Sequence, residues 1–463
     1  RSSKETILNS HDPYQYGGYL DRLLHNRNLD ERRSIIVGRH AGHGYPILLD
    51  TGLLLEHAHV LGSTGSGKTA LALMNSTIQL IRRRDGAVVV IDCKGDPAYF
   101  HTVRIEAERA GRTFKWFTNE SGLSTHIFNP FDYRGLQRLT LQEVLGLMLQ
   151  SLNLHHGDDY GRAYFGAVAL VLLKDALEAS RNPSAGQRRH GSASDRGVQS
   201  FQDLDKIIHL LMMNKEEYQA GRHLAIIVNA LAGLPQLNLS PHQDPNHAAL
   251  RHAIHMPEVV RDKQVIYFYL TGAFDLFSVA EISRLAIYSL LSAARQHRKH
   301  YGETPRAYCI CDEAQVIIAQ NIANVLAQAR SMGMACILAH QTMNQLNPPG
   351  GVDLRELVMN CTAVKQYFSA RDPWTQKYIS DLSGKANYCT LGYDQYVGDV
   401  SSGYVGYEYG CPDDYGFRRV RVQEYLGPRV TPQEIQDISR RDNLCFYAVE
   451  RSTGLSRHHG FFP

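Results

Sequence analysis

The sequence predicts an α/β fold: a parallel sheet covered by helices on both faces, interrupted by an all-helical insert. Three observations point there. Short apolar runs alternate with helical patterns, the signature of strands joined by crossover helices. One alternation is joined by a glycine-rich turn, Gly62-Ser63-Thr64-Gly65-Ser66-Gly67-Lys68-Thr69, which needs a strand before it and a helix after it. Beyond Thr140 the strand signal stops, and apolar residues recur only at helical spacing until about Leu234.

The elements follow in chain order. Residues 1–50 are polar and mixed, with short strands expected at Ser34–Val37 and Tyr45–Leu49 as a lead-in to the first core strand, His57–Leu61. After the glycine turn, Ala70 to Ile81 is apolar at helical spacing. Ala87-Val88-Val89-Val90-Ile91 is continuously apolar, as a parallel strand buried on both faces must be. A helix and a strand at Thr113–Phe117 follow. Thr140-x-x-Glu143 is a capping box, and Leu141, Val144, Leu145, Met148, Leu149 and Leu152 then mark one helix face. Helices are expected at Tyr164–Ala179, Phe201–Met213 and Leu224–Leu234, with Ala163–Leu173 a buried stretch. Arg181–Ser200 is rich in Ser, Gly, Arg and His and reads as a loop or a disordered insert.

The α/β pattern resumes with strands at Val265–Leu270, Ala307–Cys311, Ala335–Ala339, Ala363–Phe368 and Leu444–Val449 and a helix at Ala280–His297. The organisation expected is residues 1–138 as the first part of a nucleotide-binding domain, 139–250 as the helical insert and 251–463 as the second part. Within the last, 387–425 is a Gly- and Tyr-rich excursion. It reads as a hairpin packing on its own domain or a neighbour, or as tyrosines that stack bases.

The glycine turn names a ligand class, a nucleoside triphosphate with Mg²⁺. Its backbone N–H groups, at a helix N-terminus, wrap phosphates. Lys68 reaches the β- and γ-phosphates, and the Thr69 hydroxyl ligates Mg²⁺. Hydrolysis needs more. The strand Tyr308–Cys311 runs into Asp312 and Glu313, placing Asp312 to hold the Mg²⁺ shell and Glu313 to orient or deprotonate water. Gln341, at the tip of the next strand, is placed to sense the γ-phosphate, with His340 as its rival. Arg330 ends the intervening helix. It is either a finger reaching a neighbouring subunit's nucleotide or a surface charge at a helix C-terminus. Asp92, Lys94 and Asp96 after the second strand read as structural or interface residues, with a metal contact as the alternative for the two acids.

Composition narrows the class. The 463 residues suffice for two or three domains. A net charge of +3 gives no global basic field, so any polyanion contact is local. His297, Arg298, Lys299 and His300 cluster at a predicted helix end, where a cationic terminus suits the helix dipole. The eight cysteines show no C-x-x-C pair and mostly occupy apolar strands, which fits a reducing compartment rather than zinc or disulfides. No apolar run reaches the roughly 18–20 residues needed to span a bilayer. The chain opens on Arg1 rather than Met, as a fragment whose missing segment could have carried an anchor would.

In this order the motifs resemble a known family. The glycine turn is similar to that of the HerA–FtsK superfamily of ring ATPases. Ile91-Asp92-Cys93-Lys94-Gly95-Asp96, Phe128-Asn129-Pro130-Phe131 before a helical insert, Asp312-Glu313-Ala314-Gln315, and Ala329-Arg330-Ser331-Met332-Gly333 leading to His340-Gln341-Thr342 together resemble the TraD/TraG coupling proteins of type IV secretion and conjugation. The likeness spans roughly residues 45–383, with an echo at Pro428-x-x-Thr431-Pro432-x-x-Ile435. It implies a hexameric RecA-like ATPase at the cytoplasmic face of the inner membrane, anchored through a segment this chain lacks. The helical insert would serve as substrate receptor. The implied cargo is relaxase-bound single-stranded DNA, effector proteins or both, passed to other secretion components. The likeness puts Lys68, Thr69, Asp312, Glu313, Gln341 and Arg330 on functional positions. It does not extend to the 387–425 excursion. Two other functions stay in view: a cytosolic HerA-like DNA translocase in repair or phage defence, and a non-hydrolysing scaffold that uses nucleotide to hold a ring together.

Overall fold

The computed structural model describes residues 22–39, 46–120, 122–123, 125–131, 139–154, 160–181, 198–214, 216–239, 252–272, 276–318, 322–347, 352–368, 370–395, 418–438, 445–449 and 460–462. Most of the Arg181–Ser200 loop and the middle of the 387–425 excursion lie outside the described residues.

A central sheet carries the fold. Its strands are β3 (Ala58–Leu61), β4 (Ala87–Asp92), β5 (Phe114–Thr118), β6 (Val265–Tyr269), β7 (Ala307–Asp312), β8 (Met334–His340) and β9 (Val364–Tyr367). They pair in parallel in the order β9-β3-β8-β7-β4-β6-β5. The expected Leu444–Val449 strand is present as β12 (Cys445–Val449), but it runs antiparallel to β9 and pairs in turn with β13 (Gly460–Phe462), also antiparallel. That edge departs from the all-parallel expectation, because alternation of strands and helices constrains only strands joined by crossovers.

The continuous apolar runs have a simple cause. Along β4, Ala87, Val89 and Ile91 belong to one core and Val88 and Val90 to the other. The same alternation recurs in β7, with Cys309 and Cys311 opposite Tyr308 and Ile310, and in β8. Each strand is buried on both faces, so neither face can be polar. One face is covered by α1 (Asn75–Arg83) and α2 (Pro97–Arg109). The lead-in strands β1 (Ser34–Arg39) and β2 (Pro46–Asp50) pair antiparallel as a separate sheet on this side. Gln79 of α1 fastens β1 by donating to Ile36 O at 2.7 Å and accepting from Ile36 N at 2.8 Å.

The other face carries the insert. Its helices are α3 (Leu141–Ser151), α4 (Tyr160–Arg181), α5 (Phe201–Asn214) and α6 (Arg222–Ala232). The Thr140–Glu143 capping box starts α3. Among the described residues the insert shares its core with the sheet: Met148, Leu172, Phe201 and Leu224 join Phe117, Phe268 and Leu338 in one apolar cluster. Helix α7 (Leu276–Tyr301) clamps α3, with Arg284 donating to Ser151 O at 2.9 Å. The Ala163–Leu173 stretch of α4 is not wholly buried as expected. Tyr164, Phe165 and Val171 are exposed while Ala169, Leu172 and Leu173 are buried, because only one stripe of a helix can face a core.

The two described flanks of the excursion pair as strands. β10 (Lys385–Gln395) and β11 (Arg418–Pro428) pair antiparallel over their whole length, and Tyr388 and Tyr425 stack at 5.6 Å. Among the described residues no helix is long and apolar enough to cross a membrane.

Candidate active site

The site lies at the C-terminal ends of β3, β8 and β7, where ligands bind in open parallel sheets. The glycine turn leaves β3 at Gly62, whose N–H donates to His340 O of β8 at 3.1 Å. A side chain at Gly62 would collide with Ser66 Oγ and press on Phe368 Cβ. Gly65 and Gly67 take left-handed φ of 79° and 87°, which a side chain would oppose. The first turns after the loop, Lys68–Met74, are π-helical and then pass into α1. The helix expected from Ala70 thus begins wider than an α-helix, a departure often found at functional sites.

The predicted residues converge. Thr69 Oγ1 donates to Asp312 Oδ2 at 2.9 Å. Lys68 Nζ lies 3.2 Å from Asp312 Oδ1 and 3.6 Å from Glu313 Oε1. Gln341 Nε2 donates to Glu313 Oε1 at 2.9 Å, and Gln341 Oε1 accepts from Thr64 Oγ1 at 3.2 Å. Gln341 therefore ties the phosphate loop to the acid at the end of β7. Glu313 sits at φ 56°, a left-handed conformation with a glutamate's side chain. Such a conformation costs on the order of 1–3 kcal/mol and persists where surrounding structure holds it.

What holds Glu313 includes a residue given no role in the sequence reading. Gln315 Nε2 donates to Glu313 Oε2 at 2.7 Å, so amides from both sides grip the carboxylate. Burial pushes the Glu313 carboxyl up. The Gln315 hydrogen bond, the Lys68 charge, the Gln341 hydrogen bond and the Lys94 charge outweigh it and hold it below the usual range. It is a charged carboxylate at neutral pH. The signal for Gln315 was its place in the Asp312-Glu313-Ala314-Gln315 run that carries the family resemblance, which assigned it no role.

His340 is fully buried and faces away from the role of rival sensor. Its Nδ1 donates to Thr342 O at 3.0 Å, leaving Nε2 to accept from His59 Nε2 at 2.6 Å. Burial pushes His340 down to about 4, so it is neutral. This dyad locks β3 to β8 directly beneath the phosphate loop. The acids after β4 resolve likewise. Asp92 accepts from the N–H groups of Lys94, Gly95 and Asp96 and from the Tyr267 hydroxyl. Asp96 caps α2 by accepting from Ala98 N and Tyr99 N. Both acids are occupied in shaping their own turn.

Arg330 is not brought to this site. It closes helix α8 (Ile322–Ser331) at the other end of the sheet, with its side chain 53 % exposed, and Nη2 lies 3.2 Å from Glu56 Oε1.

The residues present fit a triphosphate and a divalent cation. Among the described residues Ser66 Oγ is buried with no hydrogen-bond partner, and the buried Lys68 Nζ has only ion-pair contacts. Thr69 and Asp312 offer adjacent oxygens suited to a hard cation.

Two family models match the chain: the central domain of helicase HerA over residues 35–153 and the TraM recognition site of TraD and TraG over residues 306–399. A search of curated proteins found no match. Among solved structures, the bacterial conjugative coupling protein TrwBdeltaN70 in an unbound monoclinic form is similar, with a TM-score of 0.57 and 15% identity over 96% of this chain and 91% of that one. TrwB in complex with ADP and Mg²⁺ gives 0.57 and 14% over 96% and 91%. TrwB with the ATP analogue ADPNP gives 0.55 and 13% over 96% and 92%. At these identities the structural likeness speaks for the fold. The HerA model covers the phosphate loop, and the TraD/TraG model covers Asp312, Glu313, Arg330 and Gln341. On one TrwB-like fold the chain thus carries, in this order, a region that matches the central domain of helicase HerA and a region that matches the TraM recognition site of TraD and TraG.

Proposed function

We propose that this chain is an ATP-hydrolysing ring motor that couples substrate to a type IV secretion or conjugation channel. One observation carries the hydrolytic part: Gln341 bridges Thr64 of the phosphate loop to Glu313, while Lys68 and Thr69 meet Asp312. A loop that only held nucleotide would not need a gripped, charged carboxylate beside it. Lys68 binds the β- and γ-phosphates, and Gly62 to Thr69 supply backbone N–H donors. Thr69 and Asp312 hold Mg²⁺, which when bound neutralises charge developing on the phosphate oxygens. Glu313 orients the attacking water and takes its proton. Gln341 holds Glu313 and reports the γ-phosphate to the strand tip. Arg330, exposed and remote from its own site, serves the nucleotide of the next subunit in a homohexamer.

The cargo we propose is relaxase-bound single-stranded DNA, effector proteins or both, received by the helical insert at residues 139–250 and handed to further secretion components. Attachment to the cytoplasmic face of the inner membrane would be through a segment outside this chain. The match to the TraM recognition site of TraD and TraG supports this reading over a cytosolic HerA-like translocase, which the HerA match alone would support equally.

The test is ATP turnover with and without single-stranded DNA, beside Glu313→Gln. Turnover that rises with DNA and is lost in Glu313→Gln is expected. No turnover in assembled rings, with or without DNA, would leave the scaffold reading standing instead.

A further inference from the structure

The far end of the sheet contains a contact that the reaction chemistry does not use. Glu56 closes the short helical turn Leu53–Glu56 that leads into β3. Its carboxylate accepts from Arg330 Nη2 at 3.2 Å. The two partners are unlike: the Arg330 side chain is 53 % exposed and that of Glu56 only 18 %. The carboxylate is the fixed member and the guanidinium the free-ended one.

The backbone beneath Glu56 is pinned from several sides. Glu56 O accepts from Ala363 N at 2.9 Å, and His57 O accepts from Val364 N at 3.1 Å, both at the β9 edge. His57 Nδ1 accepts from Cys336 N of β8 at 3.1 Å, which leaves Nε2 to donate to Leu326 O of α8 at 2.7 Å. Burial pushes the His57 imidazole down to about 4, so its two nitrogens keep these roles at neutral pH. His57 itself sits at a left-handed φ of 64°. The same turn therefore grips the helix that carries Arg330 at two heights, at Leu326 O and at the guanidinium. It then runs through β3, from Ala58 to Leu61, into the phosphate loop at Gly62.

We infer that Glu56 is a positioning residue for Arg330, and that the Glu56–His57 turn links a subunit's own phosphate loop to the finger it offers its neighbour. This rests on the finger reading of Arg330 given above. The physical argument is one of magnitudes. An exposed Arg–Glu pair adds little to stability, so the contact is a weak reason for fold maintenance. A group that must meet a transition state is sensitive to small misplacement. A guanidinium has five N–H donors in a rigid fork. With Nη2 on Glu56, the remaining donors stay available to a phosphate.

The experiment compares ATP turnover of the whole chain, over a concentration series reaching the assembled plateau, for wild type, Glu56→Ala, Glu56→Asp, Arg330→Ala and the Glu56→Ala/Arg330→Ala double variant. Glu56→Ala should lower kcat roughly ten- to a hundredfold with unchanged KM for ATP, and Glu56→Asp should recover part of it. In the Arg330→Ala background Glu56→Ala should have no further effect, a non-additivity that a merely structural role would not give. Thermal unfolding should be unchanged within error. Wild-type or raised kcat in Glu56→Ala, while Arg330→Ala is impaired, overturns the positioning role and leaves the finger intact. Wild-type turnover in Arg330→Ala overturns the finger reading, and this inference with it.

Discussion

Replacing Glu313 with glutamine separates binding from chemistry at this site. The substitution keeps the side chain's length and lets its carbonyl oxygen still accept from Gln341 or Gln315, now 2.9 and 2.7 Å from the carboxylate. It removes the charge 3.6 Å from Lys68 Nζ and with it the group that can take a proton from water. General-base catalysis contributes on the order of 10²–10⁴ in rate, or roughly 3–5 kcal/mol of barrier at 1.36 kcal/mol per decade. Steady-state phosphate release at saturating ATP should fall by that factor. Equilibrium binding of a fluorescent ATP analogue should be unchanged or tighter, because Lys68 loses a competing carboxylate and is freer to bind phosphate. The charge state adds a second readout. Burial raises the Glu313 carboxyl, but Gln315, Lys68, Gln341 and Lys94 together hold it below the usual range. It is therefore deprotonated throughout the neutral range, and its activity is lost only as pH falls through that depressed value. Wild-type kcat should show no acid limb between about pH 6 and 8, above the ordinary glutamate value of about 4.3. A Glu313→Gln enzyme that turns over within a few-fold of wild type would refute the reasoning, and Glu313 would then be only a partner for Lys68.

Other outcomes follow from the same geometry. Lys68→Ala should abolish nucleotide binding in a fluorescence titration, since it removes the buried cation 3.2 Å from Asp312 Oδ1; unchanged affinity would unseat the loop assignment. Arg330→Ala should bind ATP normally yet lose about 10³-fold or more in turnover, and mixing it with Glu313→Gln subunits should restore some activity at interfaces that pair an intact finger with an intact site. Asp92→Asn should leave turnover chemistry in place but destabilise the fold by about 1–3 kcal/mol, read by thermal or urea unfolding, because the amide nitrogen must face either the N–H groups of Lys94 and Gly95 or the Asp96 N–H and the Tyr267 hydroxyl. Phe268→Ala, fully buried between Phe117 and Phe128, should cost about 3–5 kcal/mol.

Much of the fold was legible because burial on two faces leaves a plain mark. Ala87 to Ile91 could be read as a core strand since no position on it touches water. The strand edges were less legible. β12 shows the same apolar character as a parallel strand, and its antiparallel direction depends on how the chain returns to β9, which no local property of Cys445–Val449 encodes. The insert was read as a separate module from its period alone. Period reports secondary structure, not which surface a helix buries. That Met148 and Leu172 share a core with Phe268 depends on the shape of the sheet face that the insert covers.

The site divides the same way, and the division has a cause. Lys68, Thr69, Asp312 and Glu313 were legible because each follows a strand or turn at fixed spacing, so local geometry already aims them. Gln341 was legible through the strand that precedes it. The residues that escaped act across strands or against the backbone: Gln315 through a hydrogen bond to Glu313, and the His59–His340 dyad through pairing of β3 with β8. Arg330 and Glu56 are the extreme case. Nothing in the spacing of 274 residues between them suggests contact, and their meeting depends on β3 and β8 lying side by side with their starts at one edge. The pairing that brings Gln341 to the phosphate loop at one end of these strands is thus the pairing that brings Glu56 to Arg330 at the other. Under the proposed role of Arg330, a change in the loop transmitted along β3 would be felt at its guanidinium, which is the kind of connection the proposed ring motor would need for its subunits to act in turn.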